Sequence, residues 1–137
     1  MAYDSALDEM VLVGGQQSDG DASGTTYLYN GSTWTNAGIS GPSPRYGAAM
    51  AYDPENDDTV LLGGRTTSGT YPADAWILQP SLQWGTGGGV SGGVFAASAA
   101  YDPAIGALVV FGGLVGNGSE ISDITLTWTS PTSGWVQ

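Results

Sequence analysis

The chain has 137 residues and contains neither histidine nor cysteine. These absences exclude Ser-His-Asp catalysis, thiol chemistry, disulfides and the commonest zinc and copper ligands. The chain has two arginines, no lysine and 13 acidic residues, so its net charge is −11. Nucleic acid and anionic membranes are therefore disfavoured as partners. We therefore expect one domain over residues 1–137, with no catalytic residue, metal or cofactor. The acidic balance favours solubility and is compatible with an extracellular setting.

One pattern occurs three times along the chain, at a spacing of 49 residues. Each copy has a Tyr-Asp pair, and an apolar run closed by two glycines follows about ten residues later. The Tyr-Asp pairs begin at Tyr3, Tyr52 and Tyr101, and the glycine pairs are Gly14-Gly15, Gly63-Gly64 and Gly112-Gly113. A fixed period of this length predicts a repeat architecture, in which each unit buries its apolar face against a neighbour.

Within each copy, turn signals separate four short strands, a to d, and the second copy shows the plan. Residues 45–52 form strand a, and residues 53–58 form an acidic turn. Residues 59–62 form strand b, residues 74–78 strand c and residues 82–84 strand d. The c strands of the first and third copies are predicted at residues 27–29 and 124–126. No segment has a helical apolar period, so helix content should be close to zero.

Four strands per copy of this length are typical of a β-propeller blade, and the chain resembles kelch repeats. The residues that carry the resemblance are a glycine pair after strand b, an aromatic residue near strand c and a tryptophan near strand d. The predicted fold class is all-β, with three kelch-type blades over residues 1–41, 42–90 and 91–137. The third copy departs from the pattern, because Thr125 stands where the second has Trp76.

The resemblance gives the signature residues structural roles. Glycine pairs let the backbone turn out of strand b, and aromatic side chains fill the space between blades. The predicted structural residues are Gly14, Gly15, Gly63, Gly64, Gly112, Gly113, Trp34, Trp84 and Trp135. Packing is also expected for Tyr3, Tyr52, Tyr101 and Trp76, with stacking on a sugar as the alternative.

Both arginines fall beside the same predicted blade. Alternating strand directions place the b–c loops and the d–a connections at one end of the molecule. Arg45 ends a d–a connection and Arg65 begins a b–c loop, so both should lie on one rim. We interpret them as a tentative site for a small anionic or hydroxylated ligand, or for a protein or glycan. The alternative is that each arginine pairs with a local carboxylate such as Asp74.

Two other sequence features allow more than one interpretation. The acidic turn at residues 53–58 offers oxygen ligands for calcium, although a solvated hairpin tip explains it better. Asn30 and Asn117 each begin a glycosylation triplet, but Asn-Gly is also a preferred two-residue turn. No apolar run is long enough to cross a membrane, and no secretory signal is evident.

Three blades are too few to close a propeller, so an isolated chain would expose two apolar faces. We therefore expect a homodimer that closes a six-bladed ring and acts as a non-enzymatic binding or scaffold module. One alternative is half of a kelch-like sugar-processing enzyme, such as a sialic-acid isomerase or an oxidase. Another is an excerpt of a longer chain or an engineered half-propeller, because the chain begins inside strand a and ends in strand d.

Overall fold

The computed structural model describes residues 1–116 and 118–137. All regular elements among these residues are β-strands, and the described part of the chain contains no helix. This confirms the all-β prediction. None of the described residues belongs to a helix that could cross a membrane.

The strands form three four-stranded sheets and one smaller ribbon. Sheet 1 contains β1 (Ala2–Asp4), β2 (Glu9–Val13), β3 (Thr26–Tyr29) and β4 (Trp34–Asn36). Sheet 2 contains β5 (Ala49–Asp53), β6 (Asp58–Leu62), β7 (Asp74–Leu78) and β8 (Trp84–Gly89). Sheet 3 contains β10 (Ser98–Asp102), β11 (Ala107–Phe111), β14 (Thr125–Trp128) and β15 (Trp135–Val136). The rim ribbon contains β9 (Val94–Phe95), β12 (Leu114–Val115) and β13 (Glu120–Ile121).

Each four-stranded sheet is an antiparallel meander, in which every strand pairs with the next strand of its sheet along the chain. The first hairpin of each sheet turns through one left-handed residue, Asp8, Asp57 or Gly106, with φ of 57°, 55° and 59°. Aspartate and glycine tolerate this conformation, which explains why these residues follow the Tyr-Asp pairs. The hairpin geometry therefore repeats with the sequence period.

The hydrophobic core lies between the sheets, and sheet 2 is covered on both faces. One cluster joins Val11 and Leu28 of sheet 1 to Met50, Leu61 and Leu78 of sheet 2. Two further clusters join the opposite face of sheet 2 to sheet 3. Because successive strand residues point to opposite faces, the continuous apolar run of β6 supplies both junctions.

The rim is the end of the sheets that carries the connections between second and third strands, at residues 14–25, 63–73, 112–116 and 118–124. Main-chain hydrogen bonds join neighbouring sheets here. The Gly15 amide donates to the Arg45 carbonyl at 2.9 Å, and the Gly64 amide donates to the Val94 carbonyl at 2.7 Å. The glycine pairs thus connect each of sheets 1 and 2 to the segment leading into the next sheet.

Two strand predictions need correction. The last strand of sheet 2 runs from Trp84 to Gly89, beyond the predicted residues 82–84, because Leu82 occupies the left-handed turn that precedes it (φ 58°). Residues 45–48 are not part of β5, since Gly47 has a φ of 65° and interrupts the extended run. The main sheets span residues 2–36, 49–89 and 98–136, while the exact blade boundaries stay a prediction.

Candidate functional site

Arg45 is buried at the rim, and local partners use its guanidinium group. Only 1% of its surface is exposed. Its Nη1 donates to the Gly63 carbonyl at 3.0 Å and to Asp74 at 2.5 Å, and its Nη2 donates to Asp74 at 3.0 Å and to the Ser43 hydroxyl at 2.8 Å. The guanidinium is not available to a ligand. The structure therefore corrects the tentative ligand-binding role of Arg45 to a structural one.

The Arg45–Asp74 pair fixes the rim loop of sheet 2 to the segment that enters the same sheet. Burial alone would raise the pKa of Asp74, but hydrogen bonds from Arg45 and Trp76 and the charge of Arg45 outweigh burial, so the pKa is lowered. The Trp76 indole N–H donates to the same carboxylate at 2.7 Å. Asp74 is thus held ionised, as a buried guanidinium requires.

Arg65 lies at the same rim in a different environment. Its backbone amide donates to the Tyr46 carbonyl at 2.8 Å, and the Tyr46 amide donates to the Arg65 carbonyl at 3.0 Å. The guanidinium donates to the Tyr46 hydroxyl at 2.9 Å, and its carbon lies 6.0 Å from the Tyr46 ring centre and 5.7 Å from that of Tyr71. These distances are in the range of cation–π contacts.

Arg65, Tyr46, Tyr71 and Phe95 form what we call the rim cluster. The Phe95 ring packs edge-on against both Tyr46 and Tyr71, with ring centres 5.8 Å apart in each pair. Nε of Arg65 is buried without a hydrogen-bond partner, and the described residues make no salt bridge with this arginine. The cluster therefore presents one partly exposed cation on an aromatic support, which suits a carboxylate or a hydroxylated ligand.

The structure places the two arginines on one rim but does not combine them into a site. The guanidinium of Arg45 is buried and paired with Asp74, whereas that of Arg65 is partly exposed and makes no salt bridge with the described residues. Sequence reasoning missed Tyr46, Tyr71 and Phe95. A signal existed for two of them, since Tyr46 and Phe95 occupy the same position before strand a in the second and third copies. Tyr71 lies in a loop that differs between copies and gives no such signal.

The signature aromatic residues differ in burial according to the copy they belong to. Trp84 is partly buried, and its indole N–H donates to Thr26 of sheet 1 at 3.1 Å. Trp135 packs on both clusters between sheets 2 and 3. Trp34 is 47% exposed and Tyr3 is 51% exposed. No sheet of the described part of the chain lies on that side of sheet 1, so the packing of these two residues between sheets stays a prediction.

Sheets 1 and 3 each have one face that no other described sheet covers. The outer face of sheet 1 carries aromatic residues and methionines, and its members are Met1, Tyr3, Met10, Leu12, Tyr27, Tyr29 and Trp34. The outer face of sheet 3 carries smaller side chains than that of sheet 1. Its members are Ser98, Ala100, Val109, Phe111, Thr125, Thr127 and Val136. Phe111 is 54% exposed there.

The acidic turn and Asn30 lie away from the rim cluster. Among the described residues, no group of three or more acidic side chains comes together as a metal ligand set. Asp58, in the acidic hairpin of sheet 2, is buried, and burial together with the charge of Asp53 raises its pKa to about 6. Asn30 forms an Asn-Gly turn, in which its Oδ1 accepts from the amides of Ser32 and Thr33. Asn117 lies outside the described residues.

No family model matches the sequence, and no curated protein matches it. Among the solved structures that match is YjhT, a propeller protein, with a TM-score of 0.74 at 17% sequence identity. The match covers 94% of this chain and 42% of YjhT, so the chain spans about two fifths of that structure's length. At this identity the likeness concerns the fold. The repeated four-stranded antiparallel sheets and this likeness together identify a β-propeller-like fold.

Proposed function

We propose that the chain is a non-enzymatic, kelch-type binding scaffold, and that two copies pair to form a six-bladed ring. The observation that carries the proposal is the exposure of Tyr3 and Trp34. The counterparts of Trp34 in sheets 2 and 3, and the counterpart of Tyr3 in sheet 3, pack on the preceding sheet. A second copy would offer its sheet 3 as the missing preceding sheet. Each copy would then cover the other's open faces, in an arrangement with two-fold symmetry.

Burial of these faces would supply the driving force for pairing. Two sheet-to-sheet junctions would bury on the order of 2,000 Å² in total, which is within the range of permanent dimers. Inside the chain, the equivalent junctions bury Leu61, Leu78, Val60 and Trp128 to between 0% and 2% exposure. The junction that would close the ring is thus expected to resemble an existing core.

The solution mass tests the assembly directly. Light scattering at micromolar concentration should give a mass twice that of one chain, with a β-type circular dichroism spectrum. Trp34→Ala should convert this species to monomer, because it removes the largest side chain of the open sheet 1 face. Tyr71→Ala, on the rim, is the matched aromatic control and should remain dimeric. A stable, folded wild-type monomer or a trimer would contradict the proposal.

The binding component of the proposal rests on the rim cluster. Arg65 makes no salt bridge with the described residues, and the rings of Tyr46 and Tyr71 support its guanidinium. A glycan or a protein segment with a carboxylate would match this chemistry. A glycan array probed with the intact assembly should give hits that Arg65→Gln loses. Hits of unchanged intensity with Arg65→Gln would remove Arg65 from the site.

The alternative function is a half of a kelch-like sugar-processing enzyme. It is less favoured because carboxylates, tyrosines and two arginines are the only acid–base groups in the chain. The same array separates the two functions when retained sugars are recovered and examined by NMR. Unchanged sugar supports a binding module, and a converted sugar supports the enzyme.

A further inference from the structure

The three junction tryptophans occupy one structural position. Trp34, Trp84 and Trp135 each open the last strand of their sheet and pair with Tyr29, Leu78 and Trp128 of the preceding strand. On the third strands a second position repeats. Thr26, Ala75 and Thr125 pair with Val13, Leu62 and Phe111, the last strand residues before each glycine pair. Each sheet thus carries one tryptophan position and one partner position.

These two positions meet at the junction between sheets 1 and 2. The Trp84 indole N–H donates to the Thr26 hydroxyl at 3.1 Å, and Thr26 is fully buried. The contact links the tryptophan of one sheet to the partner position of the sheet before it. A buried indole N–H needs such an acceptor, since leaving it unpaired costs desolvation energy.

At the junction between sheets 2 and 3 the same tryptophan lacks its acceptor. Nε1 of Trp135 is buried with no hydrogen-bond partner. The partner position of sheet 2 is Ala75, which is buried in the same cluster as Trp135 and has no hydroxyl. The indole N–H is thus hydrogen-bonded at the junction that has threonine and unpaired at the junction that has alanine.

One tryptophan position and one partner position have no counterpart within the chain, and they are Trp34 and Thr125. Both are exposed, Trp34 on the open face of sheet 1 and Thr125 on the open face of sheet 3. We infer that a second copy of this chain places its Thr125 hydroxyl against the Trp34 indole N–H, with the geometry of Trp84 and Thr26. This inference rests on the proposed ring, and it names the residue pair that sets the register of the closing junction.

The presence of threonine at residue 125 supports the proposed hydrogen bond. The same position of sheet 2 is alanine, whose side chain cannot accept a hydrogen bond. An exposed strand position does not by itself require a hydroxyl group. With threonine there, two of the three junction tryptophans of each copy have a threonine acceptor for their indole N–H in the closed ring. The remaining tryptophan is at the internal junction, where covalent continuity already fixes the register.

Analytical ultracentrifugation of three proteins tests the inference. Thr125→Val removes the hydroxyl while keeping the shape, and the ring has two such contacts, so the dimer dissociation constant should rise on the order of 10- to 100-fold. Thr127→Val is the matched control, because it makes the same change on the same strand and face. Its counterparts are Leu28 and Ile77, which accept nothing, so its dissociation constant should stay within about threefold of wild type.

A double-mutant comparison identifies the donor. In a Trp34→Phe background, Thr125→Val should cause no further weakening, because the indole N–H is already gone. A wild-type dimer in which Thr125→Val and Thr127→Val behave alike would overturn this inference and leave the ring intact. A monomeric wild type would overturn the ring and the inference together. Thermal unfolding of dilute Thr125→Val protein should match wild type, since the residue is exposed in one chain.

Discussion

The first glycine of each pair shows how backbone conformation and packing combine in single residues. Gly63 has a φ of 68°, and a Cβ added there would overlap the Val94 carbonyl oxygen. Gly112 has a similar φ of 73°, but the nearest atom to its added Cβ is 3.5 Å away. The two positions have the same conformational requirement and different steric surroundings.

This difference gives a prediction for paired substitutions. Gly63→Ala should lower the free energy of unfolding by about 3–5 kcal/mol, from left-handed strain plus the clash with Val94. Gly112→Ala should lower it by about 1 kcal/mol, from strain alone. Urea denaturation of both variants measures the difference. Equal losses would mean that conformation, and not the contact between sheets 2 and 3, makes glycine necessary at residue 63.

Asp58 predicts an unusual pH dependence of stability. Its carboxyl keeps a proton up to about pH 6 in the folded state, whereas the reference value is 3.8. Between these values the folded state binds more protons than the unfolded state, so the free energy of unfolding falls as the pH rises. Above pH 6 the full loss should be present: the two pKa values correspond to about 3 kcal/mol, and solvent screening reduces this to on the order of 2 kcal/mol.

Asp58→Asn should remove this slope and stabilise the protein at pH 7. Urea denaturation at pH 4, 5, 6 and 7 measures it, with Asp19→Asn, in an exposed loop of sheet 1, as the control. Asp19→Asn should retain the wild-type slope over this range. A wild-type profile that rises from pH 4 to 6 and is unchanged by Asp58→Asn would contradict the assignment.

At the scale of strands and loops, the junction tryptophans give a prediction inside one chain. Ala75→Ser adds a small hydroxyl to the buried partner position of sheet 2, within the cluster that contains Trp135. If this hydroxyl accepts from the orphaned Trp135 N–H, the free energy of unfolding should rise by about 1 kcal/mol. Ala49→Ser, in the same cluster on β5, is the control and should destabilise. Destabilisation by both would show that residue 75 does not face the indole nitrogen.

The strands were predictable to the extent that their residues repeat. The Tyr-Asp pairs and glycine pairs located the first hairpin of each sheet, because turn chemistry at these positions is set locally, although strand a of sheet 2 begins later than predicted. β8 was only partly predicted, since its five terminal residues include four glycines, which are rare in strands. Packing requires small residues there: a Cβ on Gly87 would lie 3.1 Å from Ile77, and one on Gly89 would lie 2.7 Å from the Ala73 carbonyl.

The candidate site was less predictable than the fold. The shared rim of Arg45 and Arg65 follows from strand direction alone, but which arginine stays accessible does not. That depends on Asp74, which lies 29 residues from Arg45 in the chain and reaches it only when the rim loop of sheet 2 folds back. The rim ribbon was also missed, because its strands are two residues long and pair across loops that differ between copies.

At the scale of the whole molecule, net charge should modulate assembly. Each chain carries a net charge of −11, so pairing brings together two strongly acidic bodies. The junctions themselves are mostly apolar, and added salt should screen the repulsion more than it weakens any attraction. The dimer dissociation constant should therefore fall about tenfold between 20 and 500 mM NaCl. Sedimentation at several salt concentrations measures this, and weaker pairing at high salt would indicate an ionic interface instead.

The hydrogen bonds from Gly15 to Arg45 and from Gly64 to Val94 use main-chain atoms on both sides. The residue that supplies the carbonyl can be charged in one case and aliphatic in the other, because its side chain takes no part in the contact. Recombination between copies could therefore exchange the segments that enter each sheet, or duplicate a whole repeat, and the new neighbours would still be joined. For this main-chain contact the glycine donor has to be inherited with its sheet, whereas the Arg45–Asp74 pair additionally links one entering segment to its own sheet.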